Sequence, residues 1–353
     1  MLDHVETKKS SVVRTVLGSV PAHELGIVLI HESLLSVVPG AEYAPEINMD
    51  KSEIFDILKR KLTDFRRAGG KTIVDRTGMF HGRDVKLYET LSKTTGVHII
   101  ASTGLGPEPM LSGYFTTPQT HPPTPWPAEQ FAGLFQKEIT EGIAVPRIER
   151  SGFAGIVTSI ATQSGIAEIE KSLFRGSAIA ALKTGVAVSV QYGADATGDL
   201  EIIVAEGISP DRVIIGGLDR QEAVRRKEAF AVAERGANVA LDHVGWSTND
   251  GYVNDEDRVQ LIVELFEAGL GERVLISTNA VGVAKGHEAK DLEFDYLLTK
   301  FVPLLRKAGL TDEQLRTLLA ENPQRVLTVD DEAELKMKGW NYNWNDLFSP
   351  VAR

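Results

Sequence analysis

TIVDRTGMFHGRDVKLYETLSKTTGVHIIASTG, residues 72–104, is the stretch that decides the fold. A β-branched apolar run, Lys71–Asp75, leads through a polar loop into Asp84–Thr95, whose apolar residues fall at helical spacing. Gly96 is placed to end that helix, and a second apolar run, Val97–Ala101, follows at once. Neither run alternates between apolar and polar residues. Both faces of each strand are therefore expected to be covered, which is the mark of a parallel sheet.

The same unit repeats in both directions. Apolar runs recur at Leu25–Ile30, Ala154–Ile160, Val186–Gln191, Arg212–Gly216, Asn238–Asp242 and Arg273–Ser277, giving eight in all. Amphipathic stretches lie between or after them at Ile54–Ala68, Ala128–Glu141, Ile166–Thr184, Leu200–Glu206, Gln221–Arg235, Asp257–Gly269 and Asp291–Ala308. Eight strand–helix units predict an α/β chain folded as a single (β/α)₈ TIM barrel, taken as one domain over residues 1–353. A doubly wound sheet is the alternative, weakened by the lack of a GxGxxG after the first strand. Val12–Gly18 reads as a short N-terminal β extension. Thr116–Pro127 holds five prolines and is expected to be an irregular loop over the pocket. The C-terminal tail, Lys336–Arg353, is aromatic; Trp340, Trp344 and Phe348 are expected to pack on the barrel or on a partner subunit.

Composition narrows the function. With no cysteine, disulfides, thiolate metal sites and cysteine nucleophiles are excluded. A net charge of −11 argues against a nucleic-acid footprint. No run is long and apolar enough to span a membrane, and the first residues carry no apolar signal core, so the expectation is a cytoplasmic protein.

In a barrel the chemistry collects where strands end. Those positions here are His31, Glu32 and Ser33, then Asp75 and Arg76, Ser102 and Thr103, and Thr158, Ser159 and Thr162. Gln191 and Tyr192, Gly217 and Asp219, Asp242 and His243, and Thr278 and Asn279 complete the ring.

The segments ELGIVLIHESL, FAGIVTSIAT, EGISPDRVIIGGLDR, ALDHVG and ENPQRVL, together with residues 72–104, resemble the phosphotriesterase family of the amidohydrolase superfamily over roughly residues 12–328. The resemblance implies a hydrolase whose two divalent metals, bridged by a carbamylated lysine and hydroxide, attack a phosphoester or carbonyl centre. It also implies a homodimer. The family's HxH on strand one falls on His31-Glu32-Ser33, and its strand-four lysine on Ser159, with Thr158 as the competing match. Its histidines after strands five and six fall on Gln191 and Gly217, and its strand-eight aspartate on Asn279. One ligand position of six keeps its residue type.

Serine, glutamine, glycine and asparagine are uncharged, whereas zinc favours imidazole, carboxylate and thiolate. The expectation is an enzyme with no metal or other cofactor, acting on a small lactone-, ester- or amide-like substrate by histidine–aspartate acid–base chemistry. The catalytic candidates are His31, His243, Asp219 and Asp75. The substrate-binding candidates are Gln191, Tyr192, Asn279, Arg220, Ser33, Ser159 and Trp126. Lyase or isomerase chemistry, a non-catalytic binder, and a metal-dependent hydrolase with a rearranged ligand set stay open. Serine attack needs an aligned base that sequence does not reveal, and no GxSxG elbow is present.

Overall fold

The computed structural model describes residues 11–111, 115–117, 124–145 and 149–330. Its centre is a parallel sheet. Strand one is Ile27–Val37, two Gly70–Asp75, three His98–Thr103 and four Ala154–Ile160. Strand five is Ala187–Gln191, six Val213–Gly216, seven Asn238–Leu241 and eight Val274–Ile276. They hydrogen-bond in sequence order, and strand one also pairs with Val281–Lys285, the continuation of strand eight. Both edges of the sheet thus belong to one run of chain, interrupted at residues 277–280, and the sheet curls shut as the expected (β/α)₈ barrel.

Two cores account for the lack of alternation in the strand sequences. Every strand contributes to the barrel interior, strand one through both Val28 and Ile30 and the others through Val74, Ile100, Ile156, Ala187, Ile214, Ala240 and Leu275. Their sequence neighbours, such as Ile73, Ile99, Val157, Val188, Ile215, Val239 and Ile276, face the surrounding helices. Both faces of each strand are therefore apolar except at the C-terminal tips.

The helices end as their sequences indicate. Asp50 caps Lys51–Arg67 by accepting from the amides of Ser52 (2.8 Å) and Glu53 (3.2 Å). Gly96 and Gly185 close Val85–Thr95 and Glu168–Thr184 in left-handed conformations, φ +70° and +76°, that a Cβ disfavours. The N-terminal extension is a hairpin, Ser11–Thr15 with Gly18–Pro21, paired on its other edge with Val329–Asp330.

Four expectations need correction. Strand one does not stop at Ile30: His31-Glu32-Ser33 continue it, because the His31 and Glu32 side chains find buried partners instead of water. Gln221–Arg235 is not one helix but two, Gln221–Arg225 and Glu228–Glu234, broken at Lys227, whose φ is +54°. The proline-rich segment is not wholly irregular, since Thr116–Thr117 pairs antiparallel with Thr124–Pro125. The helix expected over Asp291–Ala308 is confined to Leu297–Lys307, its first turn wound as a π-helix. The aromatic tail lies outside the described residues.

Candidate active site

A bulge in strand one aims His31. Leu29 lies opposite Ile73 and Glu32 opposite Asp75, so three steps on one strand match two on the other. The extra residue breaks the alternation. Ile30 enters the apolar interior and His31, beside it, also turns inward: Nδ1 lies 2.8 Å from Asp242 Oδ2 and Nε2 lies 2.7 Å from Ser189 Oγ.

Asp242, at the tip of strand seven, is the hub. Its Oδ1 accepts from the Gly217 amide (2.8 Å) and lies 3.0 Å from His243 Nδ1. Arg76 Nη1 stands 3.6 Å from Oδ2 and donates to Gln191 Oε1 at 3.0 Å. His243 Nδ1 is also 3.2 Å from Asp219 Oδ1, and the Asp219 Oδ2 accepts from the His243 amide and from Arg258 Nε (2.8 Å). The ring of His243 stacks on Tyr252 at 3.7 Å, and its Nε2 faces the Asn279 amide at 3.0 Å. Ser189, His31, Asp242, His243, Asp219 and Arg258 therefore form one continuous polar chain through the barrel mouth, and every member is buried.

The two imidazoles are driven in opposite directions. Burial lowers the pKa of His31, and Asp242 offsets this only in part, so His31 is neutral at neutral pH. Burial would lower His243 as well, but the Asp242 and Asp219 carboxylates outweigh it and raise its pKa. Desolvation works against both aspartates too. Arg258 and His243 nevertheless hold Asp219 below its usual range, and His243 and His31 hold Asp242 well below it. An imidazolium at His243 requires the Asn279 amide oxygen at Nε2, and a neutral ring the amide nitrogen, because a charged imidazole donates from both nitrogens.

Glu32 organises the interruption in strand eight. Its carboxylate accepts from Ser277 Oγ (2.7 Å), from the Thr278 amide and hydroxyl (both 2.9 Å) and from the Ala280 amide. These bonds hold the turn in which Asn279 takes a left-handed φ of +49° and faces His243. Burial nonetheless pushes the Glu32 carboxyl up to about 7 from 4.5. A raised carboxyl pKa favours folding most below 4.5 and loses that contribution as pH rises through 7. The stability of wild type minus that of Glu32→Gln is therefore expected to fall across this window, by at most about 1.4 kcal/mol per pH unit. Urea unfolding at several pH values measures it, and a difference that does not change with pH contradicts the assignment.

Some candidates are placed elsewhere. Asp75 accepts from the Leu34 amide (2.7 Å), from Thr77 and from the Tyr88 hydroxyl (3.1 Å), and none of these partners belongs to the polar chain. Ser159 faces the helix layer, 2.7 Å from Ser177 Oγ; in this register Thr158, opposite Ser189, takes the inward place. Trp126 packs on Phe115 and Phe131 at ring separations of 5.2 and 5.5 Å and borders a groove of about 500 Å³ with Glu168, Lys171 and Arg175. Ser33 is half-buried and pairs through its amide with Ala280. Tyr192 lies under the Arg220 guanidinium, 4.4 Å from ring to Cζ. Arg76, Ser189, Tyr252, Arg258 and Glu32 were not among the candidates. Ser189 was legible as the inward residue two before Gln191; Arg258 sits mid-helix and carries no local signal.

The donor set does not fit a pair of cations. His31 has both ring nitrogens engaged, Ser159 is turned away, and Gln191 already receives Arg76. At Gly217 a Cβ would fall 2.1 Å from Gln191 Nε2, so the glutamine amide fills the space a ligand side chain would need. Among the described residues, Asp219, Asp242 and His243 offer one ligand atom each within 4.8 Å of one another, which is the geometry of a single cation site. Arg258 and, when it is protonated, His243 balance those two carboxylates.

The sequence profile of the phosphotriesterase family matches residues 11–327. A phosphotriesterase homology protein of Escherichia coli is 24% identical over 303 residues, covering 85% of this chain and 97% of that protein. An aryldialkylphosphatase of Saccharolobus solfataricus is 27% identical over 330 residues (88% and 97%), and an N-acetyltaurine hydrolase of Danio rerio 25% over 353 residues (90% and 97%). A solved structure described as organophosphate hydrolysis activity engineered from a weak promiscuous lactonase superposes with a TM-score of 0.79 at 23% identity, covering 90% of this chain and 99% of its own.

Proposed function

This chain belongs to the phosphotriesterase family, and from that premise we propose that it is a hydrolase working without the binuclear metal centre. Its substrate is a small lactone, ester or amide. The observation that carries the reading is the Asp242–His243–Asp219 array, in which two buried carboxylates flank Nδ1 and leave Nε2, 3.0 Å from the Asn279 amide, as the nitrogen that can take up and release a proton. Water adds to the carbonyl carbon as the bond to the leaving oxygen or nitrogen breaks; His243 gives its proton to that leaving group and recovers one from the added water, Asp242 and Asp219 hold its ring and charge, and His31 is kept neutral beside them. Gln191 and Asn279 offer hydrogen bonds to developing charge. The names of the relatives support hydrolysis as the reaction type. We further propose a single-domain cytoplasmic homodimer that binds neither nucleic acid nor membrane. No helix among the described residues is long and apolar enough to cross one.

One observation favours a second reading. Ser189, His31 and Asp242 stand in the hydroxyl–imidazole–carboxylate order of a nucleophilic triad, with contacts of 2.7 and 2.8 Å and the base neutral. Here Ser189 Oγ would bond to the carbonyl carbon as its proton passes to His31 Nε2. The leaving group would take that proton, and water would then release the acyl group. One experiment covers both readings: an ester, lactone and amide panel assayed with EDTA-dialysed wild type and Ser189→Ala. Turnover that survives dialysis is expected; turnover abolished by EDTA and restored by zinc contradicts the proposal. Unchanged turnover in Ser189→Ala removes the triad reading.

A further inference from the structure

Arg220 carries two buried hydrogen-bond donors, Nε and Nη2, with no acceptor in good hydrogen-bond geometry, although the Tyr192 hydroxyl is close enough to feel the guanidinium. Its third nitrogen is fixed: Nη1 donates to the backbone oxygens of Tyr192 and Gly193, both at 3.0 Å. The guanidinium rests on the Tyr192 ring, and the Arg220 backbone is held by its amide bond to Gly217 O (3.1 Å) and by a bridge to Tyr252. The side chain is thus locked with one edge unused. Arg258, Arg83 and Arg76 differ: Arg258 is paired with Asp219 and Asp255, Arg83 forks onto Glu138 at 2.7 and 2.8 Å, and Arg76 donates to Gln191. Among the described residues Arg220 makes no ion pair within 4.0 Å. Leaving a buried donor unmade costs about 1–3 kcal/mol, and more when the group is charged. A fixed, unsatisfied cation is therefore a place where an acceptor arrives from outside.

Its geometry says which acceptor. Nε–H and an Nη2–H point the same way from one edge of the guanidinium plane, the side-on fork that matches the two oxygens of a carboxylate. Nε lies 3.3 Å from where a Gly217 Cβ would stand, so a side chain at 217 would crowd the fork, and the Gln191 amide already lies in that space. Tyr252 links this fork to the chemistry, since its backbone bridges to Arg220 and its ring stacks on His243. We propose that Arg220 binds a carboxylate carried by the substrate, so that the enzyme hydrolyses an anionic lactone, ester or amide. This rests on the barrel mouth being the substrate site. A single fork, with the Asp199 and Glu228 carboxylates near enough to offset part of the Arg220 charge, suits a monoanion better than a phosphate dianion.

The test uses butyrate, the neutral isostere butyramide and inorganic phosphate as probes, by calorimetric titration and thermal melting. Wild type is compared with Arg220→Met and Arg220→Lys, each first checked for a cooperative melt. Butyrate is expected to bind wild type and raise its Tm, and butyramide to do neither. Arg220→Met should abolish binding, and Arg220→Lys should weaken it at least tenfold, because an ammonium has no fork. Equal binding to Arg220→Met, or no binding of any probe, overturns the proposal, and phosphate binding tighter than butyrate overturns the carboxylate assignment. Should butyrate bind through Arg220 yet fail to inhibit turnover, the anion site stands and the reading of the mouth as the active site fails.

Discussion

Arg258→Met is expected to lower stability by about 3–5 kcal/mol, the usual loss when one partner of a buried ion pair is removed. The Arg258 side chain is fully buried, with Nε on Asp219 at 2.8 Å, Nη2 on the Val253 carbonyl at 2.9 Å and Nη1 on Asp255. Methionine has a comparable length and fills the space, so the effect is one of charge more than of volume. What remains, among the described residues, is Asp219 buried near Asp242 with His243, when protonated, as its ion-pair partner. Losing the arginine raises the pKa of Asp219, so the variant should regain part of its stability as pH falls and that carboxyl takes a proton. Adding Asp219→Asn should likewise recover part of the loss, a coupling that a double-mutant cycle isolates. Urea unfolding of the four proteins at neutral pH measures this. A loss below about 1 kcal/mol in Arg258→Met would mean that the polar chain is not held by this charge.

His243→Asn should lower kcat by about 10²–10⁴-fold, the range for loss of a positioned acid or base. Asparagine is chosen over alanine because its amide can still donate towards Asp219 and Asp242, whereas alanine would leave two facing carboxylates unpaired. For wild type, activity that needs the imidazolium is retained on the acid side and falls as pH rises through a pKa above 6.5, the direction set by the two aspartates. The stability this histidine contributes follows the same limb, being complete below 6.5 and lost as pH climbs through the raised value. In the variant the alkaline limb of the rate profile should vanish along with most of the rate. Unchanged kinetics would remove His243 from the chemistry.

The barrel was legible because its evidence is local and repeated. Residues 72–104 alone contain a strand, a capped helix, a left-handed glycine and the next strand, and each signal agrees with the others. Strand tips were harder. The sequence places Ser159 and Thr158 side by side but does not say which faces inward; that depends on pairing with strand five. His31 was visible as a polar residue at a strand tip, yet the bulge that aims it at Asp242 and Ser189 arises from register with strand two. Asp75 looked chemical by position, and only three dimensions show it serving the Leu34, Thr77 and Tyr88 donors. Arg258 could not be read at all, because its partner Asp219 is 39 residues away and lies on another element.

All of this depends on the mouth being balanced by guanidinium and imidazole groups. The most direct measurement is the metal content of protein purified without added metal and then incubated with excess zinc and desalted, read by inductively coupled plasma mass spectrometry. Well under one zinc per chain is the expected result. Two tightly held divalent ions per chain would contradict the account, since among the described residues only Asp219, Asp242 and His243 cluster as cation ligands, enough for one ion.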